Sequence, residues 1–173
     1  MKLYNELATY YDVIFIEKDY SMETAFVQQV SKNKFPGPVL ELGCGTGNHM
    51  KSLEKRRWSV DGLEYSNQML NVARVKLPKS TFFNGDFRKL ELCNSSLKYP
   101  VVFCLGTAIL YAKTVSGFKK VVRGVSRIIQ DNGIFIFDLW KWYPCQSGTR
   151  ITKTTDPNNG NIQIIREMKW KQM

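Results

Sequence analysis

A chain of 173 residues is long enough for one domain with a sizeable core, and its 43% hydrophobic content is that of an ordinary globular domain. No apolar run is long enough to span a bilayer, which argues against a membrane-embedded protein. The 25 Lys and Arg outnumber the 15 Asp and Glu, giving a net charge of +10, which admits an acidic partner such as nucleic acid; the basic residues are scattered, however, as on a solvated surface.

The opening segment, Met1 to Glu6, lacks the apolar core of a signal peptide. Residues 2–20 are rich in tyrosine, with Tyr4, Tyr10, Tyr11 and Tyr20. Such side chains serve equally as packing groups and as ligand-facing groups, having an apolar ring and a polar tip. Ser21 is placed to cap a helix that carries Met22, Phe26, Val27 and Val30 inward. Phe35-Pro36-Gly37-Pro38 ends it, so residues 1–34 read as a helical cap ahead of the main sheet.

The run from Val39 to Gly47 reads as a buried strand, an acidic residue and a glycine-rich turn, followed by a helix from Asn48 toward Lys55 with Met50 and Leu53 on the sheet. Glycine lets the backbone take φ > 0 and lets a ligand approach closely. The spacing is G-x-G-x-G with Glu41 just ahead, not the G-x-G-x-x-G of a dinucleotide site, and a carboxylate there suits a ligand with a cationic group better than a pyrophosphate. That spacing counts against a nicotinamide dehydrogenase. Trp58 to Leu63 is a second strand closed by Glu64, near the offset of about 20 residues at which an acid meets a ribose hydroxyl. Ser66 caps a helix bearing Met69, Leu70, Ala73 and Leu77, and Pro78 stops it. Thr81 to Asn84 is a third strand, with Gly85-Asp86-Phe87 at its end.

Tyr99 to Leu105 is apolar throughout, as a central parallel strand should be, and Gly106 to Tyr111 follows at its carboxyl end. Phe118, Val121, Val122, Val125, Ile128 and Ile129 make an amphipathic helix whose other face holds Lys119, Lys120, Arg123 and Arg127. Asp131-Asn132-Gly133 is a turn and Ile134 to Leu139 a fifth strand. Beyond it, 150–154 and 162–166 alternate as a hairpin around Asp156 to Gly160.

Glu41 to Gly47 resembles motif I of the class I S-adenosylmethionine (SAM) dependent methyltransferases. Glu64-Tyr65-Ser66-Asn67-Gln68-Met69-Leu70 resembles the second motif of that family, Gly85-Asp86-Phe87 the third contact, and the run from Ile129 to Asp138 a later segment. Asp138 to Pro144 resembles an aromatic stretch of the aminosugar N-methyltransferases. The resemblance covers residues 10–144. It implies a three-layer, Rossmann-like α/β sandwich with parallel strands ordered 3-2-1-4-5. It also implies SAM as methyl donor, with S-adenosylhomocysteine as product. The expectation is an appended C-terminal hairpin without the last strands of the usual seven-stranded sheet, the chain being either truncated or completed at its edge by another chain. The division expected is 1–144 for the SAM-binding domain and 145–173 for the extension, whose open edge would support a homodimer.

Carried over residue by residue, Gly43, Cys44, Gly45 and Gly47 shape the donor turn and Glu41 faces the methionine amino end. Glu64 holds ribose, while Tyr65, Met69, Asp86, Phe87 and Leu105 surround adenine. Tyr11, Tyr20 and Tyr111 are candidates for the acceptor side, with Tyr11 also against the donor. The expected reaction is methyl transfer to N or O of a small molecule by in-line displacement. RNA or protein methylation and a non-catalytic partner role are the alternatives. No N-P-P-Y motif occurs, which counts against methylation of exocyclic base amines. Pro144-Cys145-Gln146 follows the wrong strand to be a cytosine-methylating nucleophile. Four cysteines, Cys44, Cys93, Cys104 and Cys145, show no C-x-x-C pairing, consistent with a reducing, cytoplasmic compartment. No metal-ligand cluster is evident. His49, the one histidine, suits packing or capping at a helix start, and its role stays open.

Overall fold

The computed structural model describes residues 2–31, 37–92, 97–139, 148–156 and 159–170. Five parallel strands form the main sheet in the order β3-β2-β1-β4-β5: β1 Val39–Leu42, β2 Val60–Glu64, β3 Phe82–Asn84, β4 Tyr99–Cys104 and β5 Ile129–Phe137. Register along β1 aligns Leu42 with Leu63 on one side and Glu41 with Phe103 on the other, which brings the strand tips to a common edge. Helices α1 Tyr11–Ile14, α2 Tyr20–Val30, α3 Asn48–Glu54, α4 Asn67–Lys76 and α5 Val115–Ile128 surround the sheet. Antiparallel β6 Gly148–Asp156 and β7 Asn159–Trp170 form a separate two-stranded sheet among the described residues. Among the described residues, no helix is long and apolar enough to cross a membrane.

Strand alternation sorts the core into two layers. Leu40, Leu42, Val102 and Cys104 pack with α5 residues Val121, Val125 and Ile128, whereas Val39, Val101 and Phe103 pack with Val27 of α2 and with Met50 and Leu53 of α3. Central strands buried on both sides read as continuous apolar runs, and Tyr99 to Leu105 is buried throughout.

Three expectations are corrected. The cap of α2 is Asp19, whose carboxylate accepts Met22 N–H at 2.9 Å; Ser21 lies inside the helix, where its Oγ accepts from Arg56 Nη2 at 2.8 Å. On that helix only Val27 of the named apolar residues is buried, while Met22, Phe26 and Val30 face outward, because Thr24 takes the inner position and bonds Ser52 of α3 at 2.7 Å. Asp131-Asn132-Gly133 is not a connection between elements but an irregularity within β5. Tyr99 pairs with Ile129 and Val101 already with Ile134, so the extra residues loop out, and Asn132 takes φ 62°. Ser66 does cap α4 through Met69 N–H, and α3 begins at Asn48 as expected. The Phe35-Pro36 break, Cys93, the stretch 140–146 with Cys145, and the hairpin turn at Pro157-Asn158 lie outside the described residues.

Candidate active site

The tips of β1, β2, β3 and β4 border one cleft of about 410 Å³. Its floor is the turn after β1, where Gly43, Gly45 and Gly47 take φ 73°, 56° and 78°. Gly43 and Cys44 donate their N–H groups to Leu63 O at 2.7 and 3.1 Å, which locks the turn against the end of β2. Gly47 is needed for a second reason: a Cβ there would stand 2.9 Å from Leu77 Cδ1, so the missing side chain lets the turn nest against the end of α4.

Glu64 terminates β2 at the cleft. Its Oε2 accepts Gly45 N–H at 3.0 Å and its Oε1 accepts Ser66 N–H at 2.9 Å. A carboxylate offers about four acceptor sites, so each oxygen keeps acceptor capacity beyond these bonds. Tyr65 stands 68% exposed beside it, a free aromatic face at the cleft edge. Asp86 holds Arg88 in a fork, with Oδ1–Nε 2.8 Å and Oδ2–Nη2 2.6 Å, and that guanidinium keeps its carboxyl below the usual carboxylate range. Met69, Phe87 and Leu105 supply apolar lining, and Ala108 and Gly106 complete the wall after β4.

The N-terminal segment closes the other side. Tyr4, Tyr11 and Tyr20 line the cleft, and Tyr111 meets them from a 3-10 turn, Ala108–Ala112, with its hydroxyl 2.8 Å from that of Tyr4. Thr107 and Lys113 flank that turn with φ 61° and 63°, positions a side-chain-bearing residue rarely adopts, and Asp138 Oδ1 accepts Thr107 N–H at 2.7 Å. Burial raises the Tyr11 and Tyr20 phenols, with neighbouring phenols and the Glu64 carboxylate adding to it at Tyr11 and the Asp12, Glu23 and Glu41 carboxylates at Tyr20. Both hydroxyls therefore stay protonated at neutral pH.

Every residue named from the sequence lies at the cleft except Glu41 and Gly47. Glu41 is 1% exposed, and strand alternation turns it to the side covered by α2 and α3. There Nδ1 of His49 lies 2.8 Å from its Oε1, and its Oε2 is buried with no hydrogen-bond partner. His49 stands between Glu41 and the cleft, with Nε2 2.5 Å from Glu23 Oε2, and Lys18 Nζ lies 3.1 Å from the same Glu23 oxygen.

Sequence reasoning passed over the cap's fastenings. Asp12 Oδ1 accepts Thr46 Oγ1 at 2.5 Å and Asn48 Nδ2 at 2.8 Å; its Oδ2 meets Lys76 Nζ at 2.6 Å. Ser66 Oγ donates to the Tyr4 carbonyl. The one available signal was Asp12 next to Tyr11, which says nothing of partners so far away along the chain. Among the described residues, no group of His, Cys, Asp and Glu could hold a metal ion.

A parallel sheet ordered 3-2-1-4-5 with a cleft at the carboxyl ends of its strands is a Rossmann-like α/β domain. Residues 39–133 match the family described as "Methyltransferase domain", and the chain belongs to that family. It is 28% identical, over 141 residues, to dTDP-3-amino-3,4,6-trideoxy-alpha-D-glucopyranose N,N-dimethyltransferase of Streptomyces venezuelae, covering 79% of this chain and 58% of that protein. It is also 28% identical, over 129 residues, to dTDP-4-amino-2,3,4,6-tetradeoxy-D-glucose N,N-dimethyltransferase of Saccharopolyspora spinosa, covering 73% and 50%. The chain thus spans about half the length of the curated relatives it matches. Among solved structures, Streptomyces venezuelae DesVI superposes with a TM-score of 0.81 at 23% identity, covering 96% of this chain and 70% of that one. SAM-bound CalS10, an amino pentose methyltransferase from Micromonospora echinaspora, gives 0.74 at 25% identity, covering 90% and 65%.

Proposed function

We propose that this chain binds SAM in the cleft and transfers its methyl group to an amine nitrogen of a small, sugar-like acceptor. The observation that carries the reading is the Glu64 carboxylate, fixed by Gly45 and Ser66 N–H groups at the end of β2 with acceptor capacity left over. That is a preorganised acceptor for a vicinal diol such as ribose. The rest of the cleft fits the same ligand: Tyr65 offers a face for adenine, and Met69, Phe87 and Leu105 an apolar slot. Glu41, whose Oε2 is buried without a partner, lies outside the cleft lining and meets it only through His49.

SAM, when bound, supplies a methyl already attached to a good leaving group. The chain's own part is to bind, to orient and to exclude water. Tyr11, Tyr20 and Tyr4 roof the cleft from the cap, and Tyr111 approaches from the far side. Nitrogen is favoured over oxygen because several lining groups that could take a proton are already protonated or engaged. The Tyr11 and Tyr20 phenols are held protonated, His49 is engaged at both nitrogens, Asp86 is bound by Arg88, and Glu64 is held by two backbone N–H groups. An alcohol needs a proton taken from it as it attacks, whereas a neutral amine brings a free lone pair. Aminosugar N,N-dimethyltransferases among the relatives agree with such an acceptor.

The deciding experiment offers SAM with matched acceptors, a nucleotide-linked aminosugar and the same sugar bearing a hydroxyl in place of the amine, and follows methylated product by mass spectrometry. Methylation of the aminosugar alone is expected. Methylation of the hydroxyl sugar or of RNA in preference would overturn the amine assignment.

A further inference from the structure

The Glu23–His49–Glu41 line is the buried charged cluster beside the cleft. It runs through the buried layer from cap to sheet. Glu23 sits on α2, His49 on α3 and Glu41 on β1, and both ring nitrogens of His49 are within hydrogen-bond distance of a carboxylate, at 2.5 and 2.8 Å. The groups facing the imidazole are Glu41 from β1, Glu23 and Tyr20 from α2, and Lys18 from the turn before α2; the Tyr20 ring packs edge-on at 5.0 Å. His49 is 6% exposed and Glu41 1%. A carboxylate so deeply buried is costly unless a cation and hydrogen bonds accompany it.

We propose that His49 is a positioning residue for the amino-acid end of the donor. As an imidazolium donating from both nitrogens, it fastens α2 to β1 and keeps Glu41 anionic. It takes Oε1 of that carboxylate and itself lines the cleft, so the buried pair holds its charge at the cleft wall for the donor's amino-acid end. The proposal rests on the SAM reading above but makes a separate claim, that Glu41 acts only because His49 holds it. The two carboxylates specify the charge state. Burial alone would lower the His49 pKa, but the Glu41 charge and the hydrogen bonds to Glu23 and Glu41 outweigh it and raise it to about 9. Burial pushes the Glu41 carboxyl up while the His49 charge pulls it back. The same line couples the two halves of the site. Lys18 and Tyr20 line the cleft beside Glu23, so an α2 fastened to His49 holds the acceptor-side roof in place while the donor's amino group is engaged.

Two ligands separate this role from simple support of the fold. S-adenosylhomocysteine carries the amino-acid end; methylthioadenosine keeps the adenosine and thioether and lacks it. In His49→Gln, calorimetry should show S-adenosylhomocysteine weakened by about tenfold or more, as for a lost charge-assisted contact, with methylthioadenosine unchanged. Equal loss of both ligands, or loss of neither, overturns the proposal. Wild-type protein that binds neither ligand sinks the SAM reading itself. Glu23→Gln supplies a second arm that leaves Glu41 and the histidine intact. The chain has a single histidine, so its ring NMR signals are unambiguous. In wild type they should be those of an imidazolium at pH 7.5, titrating near pH 9, and in Glu23→Gln the midpoint should fall toward the ordinary value of about 6.5. A neutral ring at pH 7.5 in wild type, or a midpoint indifferent to Glu23, overturns the assignment.

Discussion

Lys76 Nζ lies 2.6 Å from Asp12 Oδ2, and this pair fastens the N-terminal cap across the glycine turn to α4. Asp12 also receives Thr46 from the turn and Asn48 from the start of α3, while Lys76 donates to Asn48 Oδ1 at 2.6 Å. Four side chains from three separate stretches of sequence thus meet at the base of the segment that carries Tyr11. The cap is a strap held at this end by Asp12 and at the other by Glu23. Tyr11, next to Asp12, and Tyr20, near Glu23, roof the cleft because both ends are tied.

Asp12→Asn should loosen the strap without unfolding the sheet. Burial raises the Asp12 carboxyl, but the hydrogen bonds from Lys76 and Thr46 prevail and leave it below the ordinary range. A depressed folded pKa contributes stability that is present above the unfolded value, about 3.9, and is lost as pH falls through the folded value. The variant should therefore be less stable than wild type by about 1 kcal/mol at neutral pH, a figure discounted for the partial exposure of Asp12. Chemical denaturation at pH 7 and pH 3 checks this: the difference should shrink at the lower pH.

Gly45→Ala and Gly47→Ala should fail differently. Both positions have left-handed backbone, which costs a side-chain-bearing residue about 1–2 kcal/mol. At Gly45 the added Cβ would meet the flexible end of Met69 at 3.3 Å; at Gly47 it would stand 2.9 Å from Leu77 Cδ1 and 3.5 Å from Ala73 Cβ, in the packed junction of turn and helix. Gly47→Ala should show the larger fall in thermal midpoint. Gly45→Ala, next to Met69 and bonded to Glu64, should lose more donor affinity for a smaller loss of stability. Thermal melts with and without S-adenosylhomocysteine resolve the two.

The strand-end carboxylate gives a sharper expectation. In Glu64→Gln, the amide has one acceptor oxygen for two backbone donors, Gly45 N–H and Ser66 N–H, and turns its NH₂ toward one of them. A hydrogen bond to a charged group is worth about 1.5–3 kcal/mol, so adenosine-containing ligands should bind about tenfold to a hundredfold more weakly. Methylthioadenosine and S-adenosylhomocysteine should suffer alike, in contrast to His49→Gln. Calorimetry on both variants tests the contrast.

The His49 charge also predicts a pH trend. Its folded pKa, about 9, lies above its unfolded value, so its contribution to stability is complete below about pH 6.5 and declines as pH rises toward 9. The stability difference between wild type and His49→Gln, read by urea denaturation, should narrow over that interval.

What the sequence disclosed was whatever depends on neighbours along the chain. The glycine turn, the Ser66 cap and the apolar run of β4 are local signals, and they located the cleft. The side of the sheet to which Glu41 points also follows from alternation with Leu40 and Leu42, but the partner that intercepts it does not, since nothing in the sequence says that α3 brings His49 onto it. Asp12 and Glu23 were missed for the same reason: their partners are set by how the cap folds back. The outward stripe of Met22, Phe26 and Val30 carries helical spacing as faithfully as a buried face would, and only the packing of Thr24 on Ser52 shows which face is inner. The Asn132 irregularity resembles an ordinary turn by composition, because looping out of a strand needs the same residues.

The central claim is that a glycine turn and the Glu64 carboxylate form a site for an adenosyl donor, and equilibrium binding of S-adenosylhomocysteine tests it most directly. Calorimetry at pH 7.5 should give one site per chain, with micromolar affinity corresponding to about 8 kcal/mol, lost in large part in Glu64→Gln. No heat and no thermal shift with S-adenosylhomocysteine or SAM in folded wild-type protein would contradict it.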